Sequence, residues 1–297
     1  MRMRKFSFVF LLFVLFSISG CQNTSDSLIS FNTFNHPIGY DSINQIVEED
    51  FFAKDLIIVA DEEKHDSSII SAEAGMIFNI TDKEAIYHKN LYEKFYPASL
   101  TKLLTALVAI KHGELDDLVT ISFEAANISE PGAQLCGFEE GDIISLGELL
   151  YSLLIYSGND AAISIAEHIG GSVDEFNIMM NKEAKSLGAV HSNFTNAHGL
   201  HDEEHYTTLY DMYLIFNEFI KYDFLMEIVK SSQYTAKYHD KEGTAKEISM
   251  NSTNQYFMDE IEPEEGFIVE GGKTGYTFKA GNCLIMLSKD EDEKHYI

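Results

Sequence analysis

Ser99 and Lys102 stand three residues apart in the stretch YPASLTKLLTALVAI. At helical spacing such a pair shares one face, one side chain above the other. A serine hydroxyl is a weak nucleophile until a neighbouring group takes its proton, and an amine one turn away can do this if it is held neutral. The chemistry open to the pair is acyl transfer through a serine ester. A tetrad of this kind is expected roughly once by chance in a chain of this composition, so its setting decides its meaning.

Pro97 breaks the chain just before Ser99, which suits a helix start,. Leu100, Leu103, Leu104, Leu107, Val108 and Ile110 then point all around the helix. A helix apolar on every side belongs in a core, which puts Ser99 and Lys102 at its buried head. Two further segments stand out. Ser157-Gly158-Asn159 breaks an apolar helix over Leu146–Tyr156 from a second over Asp160–Ile169, and Lys273-Thr274-Gly275 lies among short strand-like segments.

These elements outline a fold. Asp55–Ala60 reads as a first strand, and Ala74–Ile80 and Ala85–His88 as a hairpin around Thr81-Asp82-Lys83-Glu84,. Helices follow over Val173–Leu187, ended by Gly188, and over Leu209–Phe219,. Beyond Tyr234 the texture turns β-compatible, with strands expected over Phe267–Glu270, Thr277–Lys279 and Asn282–Ser288. The pattern predicts an α+β domain over residues 55–297. Its sheet parts lie near 55–115 and 235–297, an all-helical lobe near 116–234, and a cleft forms between them,.

The N-terminus is a different object. Arg2, Arg4 and Lys5 precede an apolar run over Phe6–Phe16, then Ile18-Ser19-Gly20-Cys21. The run has the proportions of a signal peptide. Small residues directly before Cys21 resemble a lipobox, which implies cleavage after residue 20 and lipidation of the Cys21 thiol. An ordinary secretory signal or an uncleaved anchor are the alternatives. Residues 21–54, rich in Ser, Asn and Asp, read as a tether,. The expected location is the outer face of the cytoplasmic membrane or another envelope membrane, held by lipid and facing the cell wall.

The whole chain carries 21 Lys and Arg against 48 Asp and Glu, a net charge of −27. Such a surface repels nucleic acid, and no nucleic-acid partner is expected. Removing residues 1–20 takes away three cations, no anions and every arginine. Anion recognition in the remainder falls to Lys, His or backbone N–H groups. Cys136 and Cys283, the other cysteines, read as small buried hydrophobes.

The order S-x-x-K, S-x-N, K-T-G is shared by penicillin-binding proteins and class A β-lactamases. The chain resembles the low-molecular-weight penicillin-binding proteins, the serine D-alanyl-D-alanine carboxypeptidases. The likeness rests on PASLTKLLTA from Pro97, SGNDAAISIAEHIGGS from Ser157, FNIMMNKEAKSLG from Phe176, NFTNAHGL from Asn193, KTG from Lys273 and AGNC from Ala280. It implies a β-lactamase/transpeptidase-like fold in which an antiparallel sheet is flanked by helices. It also implies an acyl-enzyme at Ser99, with Lys102 as general base and Ser157 as proton relay. Asn159, Lys273, Thr274, Gly275 and Tyr276 would bind substrate, the Ser99 and Tyr276 N–H groups forming the oxyanion hole. The implied partners are peptidoglycan pentapeptides ending in D-Ala-D-Ala, and β-lactam antibiotics. No cofactor or metal is implied.

Other readings remain at this stage. A class A-like β-lactamase needs a deacylating glutamate, and the pattern E-x-x-x-N occurs only at Glu247–Asn251, out of place for that family. His201-Asp202-Glu203-Glu204-His205 matches an inverted zinc-protease motif but follows Gly199 and lacks an apolar face,. A non-catalytic, lipid-anchored β-lactam sensor or wall-binding protein is the third. The family usually continues beyond His295-Tyr296-Ile297, where the last strand would begin, so a truncated sequence is expected; the alternative is a sheet without an edge strand and its covering helix, whose unpaired edge would be a liability,.

Overall fold

Thr81-Asp82-Lys83-Glu84 turns the chain between β1 (Gly75–Asn79) and β2 (Glu84–Lys89). Asn79 pins the turn: its Nδ2 donates to Asp82 Oδ2 and its Oδ1 accepts from the Asp82 N–H, both at 2.9 Å. Lys83 takes up the left-handed conformation, with φ 59°,. The computed structural model describes residues 56–59 and 70–297, all within one compact unit, Phe52–Ile297. The expected signal segment, Cys21 and the tether lie outside the described residues.

The hairpin joins a five-stranded antiparallel sheet of order β2-β1-β9-β8-β7. Its other members are β7 (Phe267–Thr277), β8 (Gly281–Asp290) and β9 (His295–Tyr296). β7 runs unbroken from Phe267 to Thr277, so the separate strand expected over Thr277–Lys279 is instead its end and the following turn. β9 is short but central. Tyr296 pairs with Asn79 on one side and Ser288 on the other. The strand expected to start at the last residues therefore joins β1 to β8 in the middle of the sheet. The edges of the sheet are β2 and β7.

The expected strand over Asp55–Ala60 is not formed at Leu56–Val59. Tyrosines take the place of a ladder there: Ile57 N–H donates to the Tyr213 hydroxyl at 3.2 Å, and the Tyr210 hydroxyl donates to Ile57 O at 2.9 Å. Ile57 is buried all the same.

Helix α1 (Thr101–His112) runs through the middle of the fold, and every residue from Thr101 to Ala109 is buried. α3 (Leu146–Tyr151) continues as a π-helical turn over Ser152–Tyr156, and this turn, α4 (Asn159–Gly170), α5 (Val173–Ser186) and α6 (Leu209–Phe219) pack on α1, while α7 (Asp223–Lys230) packs on the π-helical turn and the strand Phe267–Thr277. A single short turn, α2 (Phe123–Ala126), precedes them. Local chemistry sets their ends. Ser145, Ser172 and Thr208 accept from the backbone N–H three residues on,. Gly171 and Gly188 stop α4 and α5 at φ 72° and 86°,.

The helix-rich part is not all helix. β3 (Leu118–Thr120), β4 (Ile143–Ser145), β5 (Gln233–His239) and β6 (Ala245–Asn251) form a second sheet of order β3-β4-β5-β6. The 233–251 hairpin thus belongs with β3 and β4, and the main sheet draws on the C-terminal part only from Phe267. Three-residue strands such as β3 and β4 are too short to show a period in sequence.

Candidate active site

The cleft forms where the head of α1, the break between the π-helical turn and α4, and the free edge of β7 meet. Ser99 sits on a single 3-10 turn, Ala98–Leu100, that leads into α1. Its hydroxyl does not cap the helix; it faces the lysine. Ala98 carries φ 48°, a conformation L residues avoid, directly before the serine,. β7 packs closely on this turn: a Cβ on Gly275 would lie 2.9 Å from Ser99 N and 3.2 Å from Ala98 Cβ. Only glycine allows that approach.

Lys102 Nζ lies 3.2 Å from Ser99 Oγ, and it donates to Asn159 Oδ1 at 2.7 Å and to His198 O at 2.6 Å. The side chain is wholly buried. Burial, and next the nearby charge of Lys273, hold its pKa well below the ordinary lysine range; Cys136 and Asp160 offset this in part,.

Ser157 closes the opposite wall. It adopts a left-handed conformation, φ 68° and ψ 33°, between the π-helical turn and α4. Its neighbour Gly158 has no room for a side chain, since a Cβ would lie 2.3 Å from Cys136 Sγ. Lys273 Nζ donates to Ser157 Oγ at 3.0 Å and to Thr274 O at 2.9 Å. Burial alone lowers the Lys273 pKa to about 7. Thr274 Oγ1 is 2.6 Å from Thr253 Oγ1, a hydroxyl pair on the cleft wall. The Tyr276 side chain is largely exposed at the mouth.

The eight expected catalytic and substrate-binding residues therefore converge. Ser99, Ser157, Asn159, Thr274, Gly275 and Tyr276 line one cleft of about 690 Å³, and Lys102 and Lys273 lie just beneath its floor, bonded to Asn159 and Ser157. Asn159 differs in one respect from its expected use, because its Oδ1 is turned inward on Lys102. Cys21, the ninth, lies outside the described residues.

Gln134, Thr253 and Asn254 line the cleft without a sequence signal, whereas Leu200 and Cys283 belong to the NFTNAHGL and AGNC stretches. Gln134 accepts the Asn159 N–H at its carbonyl and donates Nε2 to Tyr156 O, bracing the Ser157 break. Thr253 and Asn254 come from the polar run after β6, and Leu200 from the loop after α5. Cys283 also lines the cleft, and burial raises its thiol to about 11; Cys136 stands well above the usual thiol range for the same first reason. Both are free.

The alternative motifs fall elsewhere. Glu247–Asn251 lies on β6, with Glu247 exposed and paired across from Lys237. His201–His205 lies in a loop. His205 is buried, and its Nδ1 accepts from Thr195 N–H while its Nε2 faces Thr101 Oγ1.

An antiparallel sheet, a buried central helix headed by serine and lysine, and a second lysine beside a second serine define the class: a penicillin-binding, transpeptidase-like fold. The family model described as Peptidase_S11, D-alanyl-D-alanine carboxypeptidase, matches residues 59–296, and the chain belongs to that family. It is 35% identical over 225 residues to D-alanyl-D-alanine carboxypeptidase DacF of Bacillus subtilis (strain 168), covering 73% of this chain and 54% of that one. With D-alanyl-D-alanine carboxypeptidase DacC of Escherichia coli (strain K12) it shares 30% over 241 residues, 78% and 57% of the two chains. A solved mutant of the Streptomyces K15 DD-transpeptidase superposes with a TM-score of 0.71 at 27% identity, covering 77% of this chain and 89% of that one. The chain spans about half the length of the curated relatives it matches.

Proposed function

We propose that the chain is a serine D-alanyl-D-alanine carboxypeptidase that acts on peptidoglycan stem peptides and is acylated by β-lactams at Ser99. The observation that carries this reading is the wholly buried Lys102 with its Nζ 3.2 Å from Ser99 Oγ. A neutral amine has two N–H donors and one lone pair. Asn159 Oδ1 and His198 O take two donors, and Ser99 Oγ occupies the remaining direction at 3.2 Å. In the neutral form the lone pair then faces Ser99 Oγ and can take its proton; in the ammonium form the third N–H donates there instead,. Burial and Lys273 favour the neutral form.

The Ser99–Lys102 contact supports the first step below, and the family resemblance supplies the roles of Ser157, Tyr276 and the substrate-binding groups. Ser99 Oγ bonds to the carbonyl carbon of the penultimate D-alanine while its proton passes to Lys102 Nζ. The backbone N–H groups of Ser99 and Tyr276 receive the oxyanion; one such donor is worth about 10²–10³ in rate. The C–N bond breaks, and Ser157 hands the proton from Lys102 to the departing amine of the terminal D-alanine. Water then cleaves the ester, regenerating the Ser99 hydroxyl and releasing the shortened peptide. Lys273 and Thr274 hold the terminal carboxylate, and Asn159 the substrate backbone. A β-lactam presents its ring amide to the same serine.

Fluorescent penicillin tests this directly. The parent chain should be labelled, and Ser99→Ala and Lys102→Ala should not. No label on folded parent protein would end the acylation reading, and normal labelling of Lys102→Ala would require another base. Release of D-alanine from a pentapeptide separates carboxypeptidase from sensor. The exposed place of Glu247 on β6 disfavours a lactamase, which rapid turnover of a chromogenic cephalosporin would restore.

The lipobox pattern before Cys21 supports an exported, lipid-anchored protein beside the cell wall. Metabolic labelling with a palmitate analogue, lost in Cys21→Ser, is the expected result.

A further inference from the structure

His205 is buried at 2% exposure, yet it has no part in the acyl-transfer steps above. Its two ring nitrogens hold different partners. Nδ1 accepts from the Thr195 N–H at 3.0 Å, so in the neutral ring the proton sits on Nε2. Nε2 faces Thr101 Oγ1 at 2.8 Å. The Thr101 hydroxyl in turn donates to Ala98 O at 2.8 Å. This gives a directional chain from Thr195 through the ring and the Thr101 hydroxyl to the Ala98 carbonyl. Burial lowers the ring pKa to about 4, which leaves it neutral at pH 7.

The chain ends on a strained point of the site. Ala98 carries φ 48° immediately before Ser99. Such a conformation persists only where surrounding groups over-determine it. Gly199 packs closely on the same carbonyl, since a Cβ there would lie 1.9 Å from Ala98 O and 2.9 Å from Thr101 Oγ1. The neighbouring His198 carbonyl accepts from Lys102 at 2.6 Å. One loop thus touches both halves of the Ser99–Lys102 pair.

We propose that His205 is a positioning residue: through its Nε2–H and the Thr101 hydroxyl it fixes the Ala98 carbonyl, and with it the turn that aims Ser99 at Lys102 and the substrate. The consequence for rate rests on the acylation reading above; the hydrogen-bond chain itself does not. The relay also explains why a buried histidine, rather than an apolar residue, occupies this place beside α1. An apolar side chain would leave the Thr101 hydroxyl free to turn from Ala98 and the Thr195 N–H unpaired.

Two substitutions separate this role from simple support of the loop. Glutamine can place an N–H near the Nε2 position, whereas asparagine places an acceptor near Nδ1. His205→Gln should keep the acylation rate by fluorescent penicillin within about threefold, while His205→Asn and Thr101→Val lose about tenfold or more. The loss should lie in the acylation step with little change in penicillin affinity. Thr101→Ser should restore it, and Thr101→Val combined with His205→Asn should be no slower than either alone. If His205→Asn is spared and His205→Gln is slowed, the ring serves Thr195 and the proposal falls. Imidazole ¹⁵N NMR of the full-length parent chain reads the ring without any acylation. A neutral Nε2–H tautomer at pH 7 supports the relay even if penicillin fails to label the protein. An Nδ1–H tautomer or an imidazolium overturns it.

Discussion

Gly275→Ala tests how the sheet governs the nucleophile. The new Cβ would lie 2.9 Å from Ser99 N, 3.2 Å from Ala98 Cβ and 3.4 Å from Leu100 N. Ordinary contacts begin at 3.4 Å, so the turn and β7 must part by about half an ångström,. Two of the three contacts are backbone nitrogens and cannot rotate away. A misplacement of about 1 Å at a reacting centre costs about 10²-fold; half that distance gives about tenfold on a logarithmic scale, or about 1.4 kcal/mol of barrier. The strain should also cost about 1–3 kcal/mol of stability. The second-order rate of acylation by fluorescent penicillin, beside thermal unfolding of the same sample, measures both. An acylation rate equal to the parent's, in a variant of lowered Tm, would refute the reasoning, because it would mean that β7 does not set the position of the Ser99 amide.

Other outcomes follow from the same geometry. With Lys273 lowered to about 7 by burial, kcat/KM for a carboxylate-ended peptide should fall as pH rises through about 7, and Lys273→Arg, which keeps its charge, should move that limb upward. In the unfolded chain the same lysine holds its proton to its ordinary value of 10.5, so its burial becomes less unfavourable as pH rises from 7. Its contribution to stability should increase over that window in a comparison of parent and Lys273→Met by denaturant unfolding. Leu104→Ala on the fully buried α1 should cost about 2–5 kcal/mol in the same assay,. Thr208→Ala removes the acceptor for the Asp211 N–H at the head of α6 and should cost about 1 kcal/mol,.

Long periodic elements were legible in the sequence. α6 spans Leu209–Phe219 as expected, and α1 is apolar on all sides because it is buried on all sides. The site was legible for a different reason: Ser99–Lys102, Ser157–Asn159 and Lys273–Gly275 are short contiguous motifs. What escaped depends on contacts between distant segments. β3 and β4 are three residues each and pair with one another across 25 positions of chain, with β4 joined to the 233–251 hairpin through Ile143 and His239. Leu56–Val59 has a strand-like composition, yet tyrosine hydroxyls on α6 satisfy Ile57. α7 was hidden because eight residues hold only two helical turns. His205 was visible only as half of a metal-like spacing. Its partners Thr101 and Thr195 lie 104 and 10 positions away, and no local pattern announces them.

The main sheet is assembled from the two ends of the described chain. β1 and β2 come first, β7, β8 and β9 come last, and β9 joins the two groups, with His295 and Ile297 bonded to Ile80 and Phe78 on one side and His295 and Tyr296 paired with Lys289 and Ser288 on the other. Ser99 is therefore made early, but the strand that shapes its turn and carries Lys273 is made late. During synthesis the helix-rich middle can gather its local contacts while the cleft has no far wall. Closing the sheet then requires the costly loop closures that slow folding of nonlocal topologies. Until β7 pairs with β8 and packs on the Ala98–Leu100 turn, Ser99 therefore has neither the strand that shapes its turn nor Lys273 across from it.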